Sequence, residues 1–184
     1  MTSVLYDVLS RIPSVARLHD FVVDDIASSG PADVLDVGCG PGNVDVMLAK
    51  SGNVGHVYGV DPSKAMVALA KRKARNLDNA TFALGSSRHI PFEKRFDIIF
   101  SSISFHHWSG KAHSLLHLSF FLKKRGEIRI YEFDGDRCGA TLKLILPSHV
   151  VYERDLHRVA EEAGLKIRET IRINNFIKAV FIKE

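Results

Sequence analysis

The sequence predicts an α/β fold in which a doubly wound sheet, mostly parallel with an antiparallel C-terminal strand, carries helices on both faces. Two observations lead to this prediction. Short apolar runs alternate with helical patterns along the chain, as in parallel sheets covered on both sides. A glycine-rich turn follows the first apolar run, where such sheets bind ligands. Because 184 residues are the size of one domain, we expect a single domain over 1–184.

The first half of the chain begins with a helix at 14–28, because apolar residues recur there at helical spacing and Gly30-Pro31 ends the pattern. An apolar strand at 34–37 and a helix at 43–50 flank the glycine-rich turn. A strand at 56–60 ends in a turn whose Ser63 is suited to cap the next helix. That helix buries Met66, Leu69, Ala70 and Ala74, and a short strand follows at 81–84.

The second half continues the alternation with a strongly apolar strand at 96–101. The next helix carries its apolar side up to Leu122 and ends at 123–126, before a strand at 127–133. A helix at 153–163 ends at Gly164. Two final strands, 165–173 and 176–182, meet at a hairpin-type turn, Asn174-Asn175, and we expect them to form an antiparallel pair at the edge of the sheet.

Composition excludes several classes of protein. Apolar residues make up 46% and charged residues 25%, which argues against disorder and coiled coil. No run of about 18 apolar residues and no signal-peptide pattern is present, so we expect a cytoplasmic protein without membrane contact. The net charge of +4 is dispersed, which disfavours nucleic acid as a partner. Two cysteines 99 positions apart indicate reduced thiols.

The loop after the first strand, Asp-Val-Gly-Cys-Gly-Pro-Gly at 36–42, carries the clearest functional signal. Glycines at alternate positions let the backbone turn sharply and approach a ligand. The dinucleotide fingerprint would need a third glycine where Asn43 stands, which disfavours a nicotinamide cofactor. Asp61 ends the second strand, 19 residues after Gly42, where an acid can accept both hydroxyls of a ribose.

These motifs resemble class I S-adenosylmethionine-dependent methyltransferases, particularly the small-molecule type of the ubiquinone and menaquinone biosynthesis group. The resemblance covers about 33–133 and implies a Rossmann-like sheet with S-adenosylmethionine as cofactor. Ser86 stands where the family usually has an aspartate that binds the adenine amino group. The residues that the resemblance implies for the methionine end, the ribose and the adenine are Asp36, Gly38, Gly40, Asp61, Pro62, Ser63, Met66 and Ser86.

The exit of the fourth strand lies next to the reacting methyl group in this family, which makes Ser101 a further candidate cofactor contact. The exit lacks the Asn/Asp-Pro-Pro signature of enzymes that methylate planar amino groups. It is followed by Phe105-His106-His107-Trp108, a sequence frequent in the subgroup. His106 and His107 are the candidate catalytic residues, because imidazole titrates in the range that suits a general base. Packing at the strand exit is the alternative role for both.

Other features leave alternatives open. His113 and His117 have helical spacing for two metal ligands, but no further ligand completes a site, so we expect no metal. Tyr6-Asp7 is either a lid over the cofactor or a frayed end. The segment 134–152, where relatives build the substrate pocket, is short. The pocket is therefore either open, or completed by the N-terminus or by a second copy in a homodimer.

The function that follows is methyl transfer from S-adenosylmethionine to an unidentified small-molecule acceptor. A protein that binds S-adenosylmethionine without catalysis and acts as an interaction partner is the alternative. A nicotinamide oxidoreductase is a third reading. The sequence identifies neither the acceptor nor the atom that receives the methyl group.

Overall fold

The computed structural model describes residues 13–139 and 149–184. Within these ranges the helices are α1 (Pro13–Ala27), α2 (Asn43–Ser51), α3 (Lys64–Lys73), α4 (Lys111–Ser119) and α5 (Glu153–Glu162). The strands are β1 (Asp33–Val37), β2 (His56–Asp61), β3 (Ala80–Leu84), β4 (Phe96–Ser102), β5 (Leu122–Asp134), β6 (Val150–Val151), β7 (Leu165–Ile173) and β8 (Phe176–Lys183). None of the helices in this part of the chain has the length and apolar character needed to cross a membrane.

The strands form one sheet in the order β3-β2-β1-β4-β5-β8-β7, with β6 paired to the end of β5. Neighbours from β3 to β5 are parallel, whereas β8 is antiparallel to both β5 and β7. This confirms the predicted fold class. The order reverses between β1 and β4, so the chain leaves the sheet on opposite sides there and opens a crevice at the carboxyl ends of these strands.

Side chains alternate between the two faces along the buried strands, so both faces carry apolar residues, and helices cover both of them. In β4, Ile98 and Phe100 pack with the apolar stripe of α1 and with α2. Ile99 packs on the opposite face with residues of α4 and α5. The apolar residues of the strands and the amphipathic helices therefore build apolar cores on both sides of the sheet.

The predicted C-terminal boundary of the helix that extended to Leu122 is wrong. Helix α4 stops at Ser119, and Leu122 begins β5, where it pairs with Phe96. The N–H of Phe96 donates to the carbonyl of Phe121 at 2.8 Å. An apolar run at a boundary fits either periodicity, and here sheet pairing buries Leu122 completely. The other predicted elements are confirmed to within a few residues at their ends.

Helix α1 is fastened to the sheet by a buried charged group centred on Asp25. The Asp25 carboxylate accepts hydrogen bonds from Lys178 Nζ at 2.6 Å, Tyr131 Oη at 2.6 Å and Arg129 Nη1 at 2.8 Å. Burial alone would raise the pKa of Asp25, but the hydrogen bonds from Lys178 and Tyr131 and the charge of Arg129 lower it. Asp25 therefore compensates two cations that are largely removed from water.

Candidate functional site

A cleft of about 490 Å³ opens at the carboxyl ends of β1, β2 and β4. Seven of the nine predicted cofactor residues line it, together with one of the two predicted catalytic histidines. The predicted residues in its wall are Gly38, Gly40, Asp61, Pro62, Ser63, Met66, Ser86 and His107. The structure thus brings most of the residues selected from the sequence to one surface.

The glycine-rich turn forms the floor of this cleft. Gly38 has a φ of 87°, in the left-handed region that favours glycine. A Cβ at this position would collide with the Ser104 hydroxyl in the opposite wall. The Gly38 N–H donates to the Val60 carbonyl at 2.8 Å, which holds the turn against β2. The turn therefore needs glycine both for its backbone conformation and for its close approach to the exit of β4.

Asp61 connects the two loops that build the cleft. Its Oδ2 accepts from the backbone N–H of Gly40 at 3.0 Å, and its Oδ1 accepts from the N–H of Ser63 at 2.8 Å. The residue is only 9% exposed but belongs to the cleft wall. A carboxylate has about four acceptor sites, so two bonds to the backbone leave capacity for a ligand's hydroxyl groups.

Ser63 begins α3, as predicted. Its Oγ accepts from the N–H of Met66 at 3.4 Å, a long capping hydrogen bond. The cap places Pro62, Ser63 and Met66 along one wall of the cleft. On the other side, the Ser86 hydroxyl accepts from the N–H of Arg88 at 3.3 Å. Ser86 and Ser63 therefore contribute hydroxyl groups to the cleft, and neither contributes a charge.

Asp36 does not reach the cleft wall; it lies beneath the glycine-rich turn, opposite Asp45 of α2. Both carboxyl groups are buried, and neither oxygen of Asp45 has a hydrogen-bond partner in the described part of the chain. Burial and the facing charge of Asp45 raise the pKa of Asp36 well above its usual value, and burial raises the pKa of Asp45 to about 7. Burial and the neighbouring carboxyl groups therefore favour the neutral form of Asp36.

His106 and His107 follow β4 in a short 3₁₀ turn, Phe105–His107, beside the end of β5. The fully buried Glu132 holds His106: its Oε1 accepts from the His106 N–H at 3.1 Å, and Oε2 lies 3.0 Å from His106 Nδ1. His106 Nε2 lies 3.0 Å from His107 Nε2. Only His107 lines the cleft, so Glu132 and His106 stand behind it in a row.

His149 completes this group. Strand β6 pairs with β5 at Phe133 and Asp134, and this pairing places the residue before β6 beside the 3₁₀ turn. The ring centroids of His149 and His106 are 4.5 Å apart. Burial and the charge of His106 lower the pKa of both His107 and His149, with His149 adding to the effect on His107. We call His106, His107 and His149 the histidine cluster.

Glu132 and His149 were not found from the sequence. Glu132 lies in a strand that also carries Glu127 and Arg129, so nothing in the sequence distinguished it as a site residue. His149 is 42 positions from His107 and is placed by a strand of two residues, which has no recognisable pattern.

Ser101 is the second predicted cofactor residue that the cleft does not include. It is fully buried in β4, and its hydroxyl has no hydrogen-bond partner among residues 13–139 and 149–184. The cleft is reached two and three residues later, at Ile103 and Ser104. Ile103 has a φ of 50°, a strained conformation for a β-branched residue, and it redirects the chain from the sheet into the cleft wall.

The remaining predictions concern residues away from the cleft centre. His117 Nδ1 lies 3.0 Å from the Ser87 carbonyl, so His117 positions the loop after β3. Burial raises the pKa of the Cys39 thiol well above its usual value, which keeps it protonated. The proposed lid residues Tyr6-Asp7 and the central part of the segment 134–152, namely 140–148, lie outside the described residues.

Comparison with known proteins agrees with this geometry. A family described as a methyltransferase domain matches residues 34–126. An uncharacterized methyltransferase of Staphylococcus carnosus is 37% identical over 86 residues, which cover 47% of this chain and 39% of that protein. A trans-aconitate 2-methyltransferase of an Enterobacter species is 29% identical over 153 residues, covering 83% of this chain and 52% of that protein. The chain thus spans about half, or less, of the length of these curated relatives.

Among solved structures, an S-adenosylmethionine-dependent methyltransferase from Aquifex aeolicus superposes with a TM-score of 0.80 at 22% identity, covering 98% of each chain. This likeness establishes a shared fold. A TehB-like S-adenosylmethionine-dependent methyltransferase from Corynebacterium glutamicum covers 97% of each chain with a TM-score of 0.70 at 21% identity. Because the family match includes the glycine-rich turn, Asp61 and β4, the chain belongs to the methyltransferase-domain family.

Proposed function

We propose that this chain transfers the methyl group of S-adenosylmethionine to a small-molecule acceptor. The observation that carries the proposal is the cleft itself, in which a glycine-lined floor, the Asp61 carboxylate and the His107 imidazole surround one space. Asp36, Gly38, Gly40, Asp61, Pro62, Ser63, Met66, Ser86 and Ser101 are the residues that the family resemblance assigns to the cofactor. Of these, Asp36 and Ser101 act from beneath the wall.

The two ends of the cleft suit the two ends of the cofactor. Asp61 stands at the exit of β2 with acceptor capacity for ribose hydroxyls. Gly38 lets the opposite wall approach closely, which suits the narrow methionine end of the ligand. When bound, S-adenosylmethionine supplies a sulfonium leaving group. The chain therefore needs mainly to position the acceptor's nucleophile in line with the methyl carbon and to exclude water.

We propose that His107 accepts the proton of an acceptor whose nucleophile carries one. His107 is the member of the histidine cluster that lines the cleft, and His106 lies behind it, with 3.0 Å between the two Nε2 atoms. Glu132 faces His106 Nδ1 and so favours the tautomer with its proton there. This tautomer leaves the lone pair of His106 Nε2 facing His107 and fixes the orientation of both rings.

Cofactor binding is tested first, because it requires no acceptor. S-adenosylhomocysteine should bind and raise the melting temperature, whereas NAD should leave it unchanged, because the turn lacks the third fingerprint glycine at Asn43. Stabilisation by NAD without stabilisation by S-adenosylhomocysteine would refute the proposal. Asn43 instead accepts a hydrogen bond from Lys73 at the surface.

Methyl transfer is then assayed as S-adenosylhomocysteine released with a panel of hydroxyl, thiol, amine and carboxylate acceptors, including trans-aconitate, because relatives carry that substrate in their names. His107→Asn should lower turnover of a proton-bearing acceptor by roughly 10²-fold while keeping the affinity for S-adenosylhomocysteine. The matched control is His113→Asn, on α4 outside the cleft wall. Binding without turnover of any acceptor would favour the non-catalytic alternative.

A further inference from the structure

We propose that His106, His107 and His149 bind one divalent transition-metal ion of the zinc type. Each residue offers one ring nitrogen, and the three nitrogens lie within 4.8 Å of one another. This site depends only on the positions of three side chains, so it can be tested independently of the proposed methyl transfer.

The spacing suits coordination. Zinc binds imidazole nitrogen at about 2.0 to 2.1 Å, so nitrogens that share one ion lie roughly 3 to 3.5 Å apart. The Nε2 atoms of His106 and His107 already lie 3.0 Å apart. His107 is exposed and His149 is half-buried, so small rotations of these two rings close the remaining separations without disturbing the core.

Glu132 orients the His106 ring for metal binding. A metal-bound histidine usually donates its other ring N–H to a carboxylate or a carbonyl, which fixes the tautomer and aims the ligating nitrogen. Both carboxyl oxygens of Glu132 lie within 3.1 Å of His106 Nδ1, which directs Nε2 toward the other two rings. The His106 side chain is 2% exposed and that of Glu132 is fully buried, so the orientation is held by the fold.

The donor set selects the ion. Three imidazoles suit zinc, copper, nickel or cobalt, whereas magnesium and calcium prefer oxygen ligands. Zinc accepts three histidines and keeps its fourth position open. Because His107 also lines the cleft, a bound ion engages the side chain to which we assigned proton transfer. The ion and the acceptor's proton therefore compete for the same side chain.

The test uses the untagged chain, stripped with a chelator and titrated with ZnCl₂ by calorimetry, and with CoCl₂ by visible absorption. We expect one equivalent of either ion to bind. His149→Asn should weaken zinc binding at least tenfold, and Glu132→Gln should weaken it by roughly 10- to 100-fold. His113→Asn is the matched control, because it removes a histidine of the helical pair on α4 while leaving the cluster intact.

Two results would contradict the proposal of a metal site. One is equal zinc affinity in His149→Asn and the unchanged chain, and the other is loss of zinc binding in His113→Asn. The melting curve of His149→Asn shows whether this variant is folded. Binding of S-adenosylhomocysteine to the same variant, measured in parallel, keeps the test of the metal site separate from that of the methyltransferase. If Glu132→Gln does not fold, His149→Asn alone decides the outcome.

Discussion

Replacing Asp61 with alanine should reduce both stability and cofactor affinity, by amounts that the structure separates. The change removes the acceptor of two backbone N–H groups, at 3.0 Å on Gly40 and 2.8 Å on Ser63. Hydrogen bonds to charged groups contribute about 1.5 to 3 kcal/mol each. Because both donors lie at the cleft, water can partly replace the carboxylate, and we expect a total loss of about 2 kcal/mol. For a chain of this length that corresponds to a melting temperature roughly 4 to 8 °C lower.

Affinity for S-adenosylhomocysteine should fall at the same time by about 10- to 150-fold, which corresponds to roughly 1.5 to 3 kcal/mol for the lost ribose contacts. The matched control is Asp97→Ala. Asp97 accepts the Asp33 N–H at 2.9 Å at the amino-terminal ends of β1 and β4, away from the cleft, so its loss should lower the melting temperature and leave affinity unchanged. Calorimetric titration of the folded variants decides the matter. Affinity within twofold in Asp61→Ala would show that Asp61 only forms the loop.

Two further predictions concern buried acids. Asp45→Asn should stabilise the protein at pH 8 by about 1 to 4 kcal/mol and flatten its pH dependence. The folded-state pKa of Asp45 is raised to about 7, so the free energy of unfolding of the unchanged chain falls as pH rises from about 4 to 7. Melting curves of both chains at pH 5 and 8 measure this effect. Equal changes in melting temperature between the two pH values in both chains would show that Asp45 is solvated. Asp25→Ala should lower the free energy of unfolding by about 3 kcal/mol in urea titrations, because the buried cations Lys178 and Arg129 lose the carboxylate that they share. An effect under about 1 kcal/mol would mean that water replaces the carboxylate.

The fold could be predicted because its signals are local. Strand β4 contains an apolar run at 98–100, and the turn at 36–42 requires glycine, so both are visible without tertiary information. The end of α4 was not, because Leu122 satisfies a helical stripe and a strand equally well. Ser101 was misplaced because the chain enters the cleft only after the left-handed turn at Ile103.

The sequence predicted the site residues that directly follow the ends of single strands. It did not predict those that are brought together from distant segments. The cleft residues after β1 and β2 follow directly from strand ends. Glu132 and His149 depend on which strands become neighbours of β5 and on its pairing with β6, and those pairings are set by the whole sheet. The quinone-biosynthesis subtype, the cytoplasmic location and the homodimer stay predictions from the sequence.

The position of β8 has a consequence for how the chain folds during synthesis. Residues 176–183 form a strand between β5 and β7, although both of those strands are made earlier. Within residues 13–139 and 149–184, β7 pairs with β8 alone, so it joins this sheet only after β8 has left the ribosome. The portion from β1 to β5 can assemble first, with β5 as a long unprotected edge. A chain interrupted before residue 176 would retain that edge, which is a template for pairing with other molecules and a target for quality control.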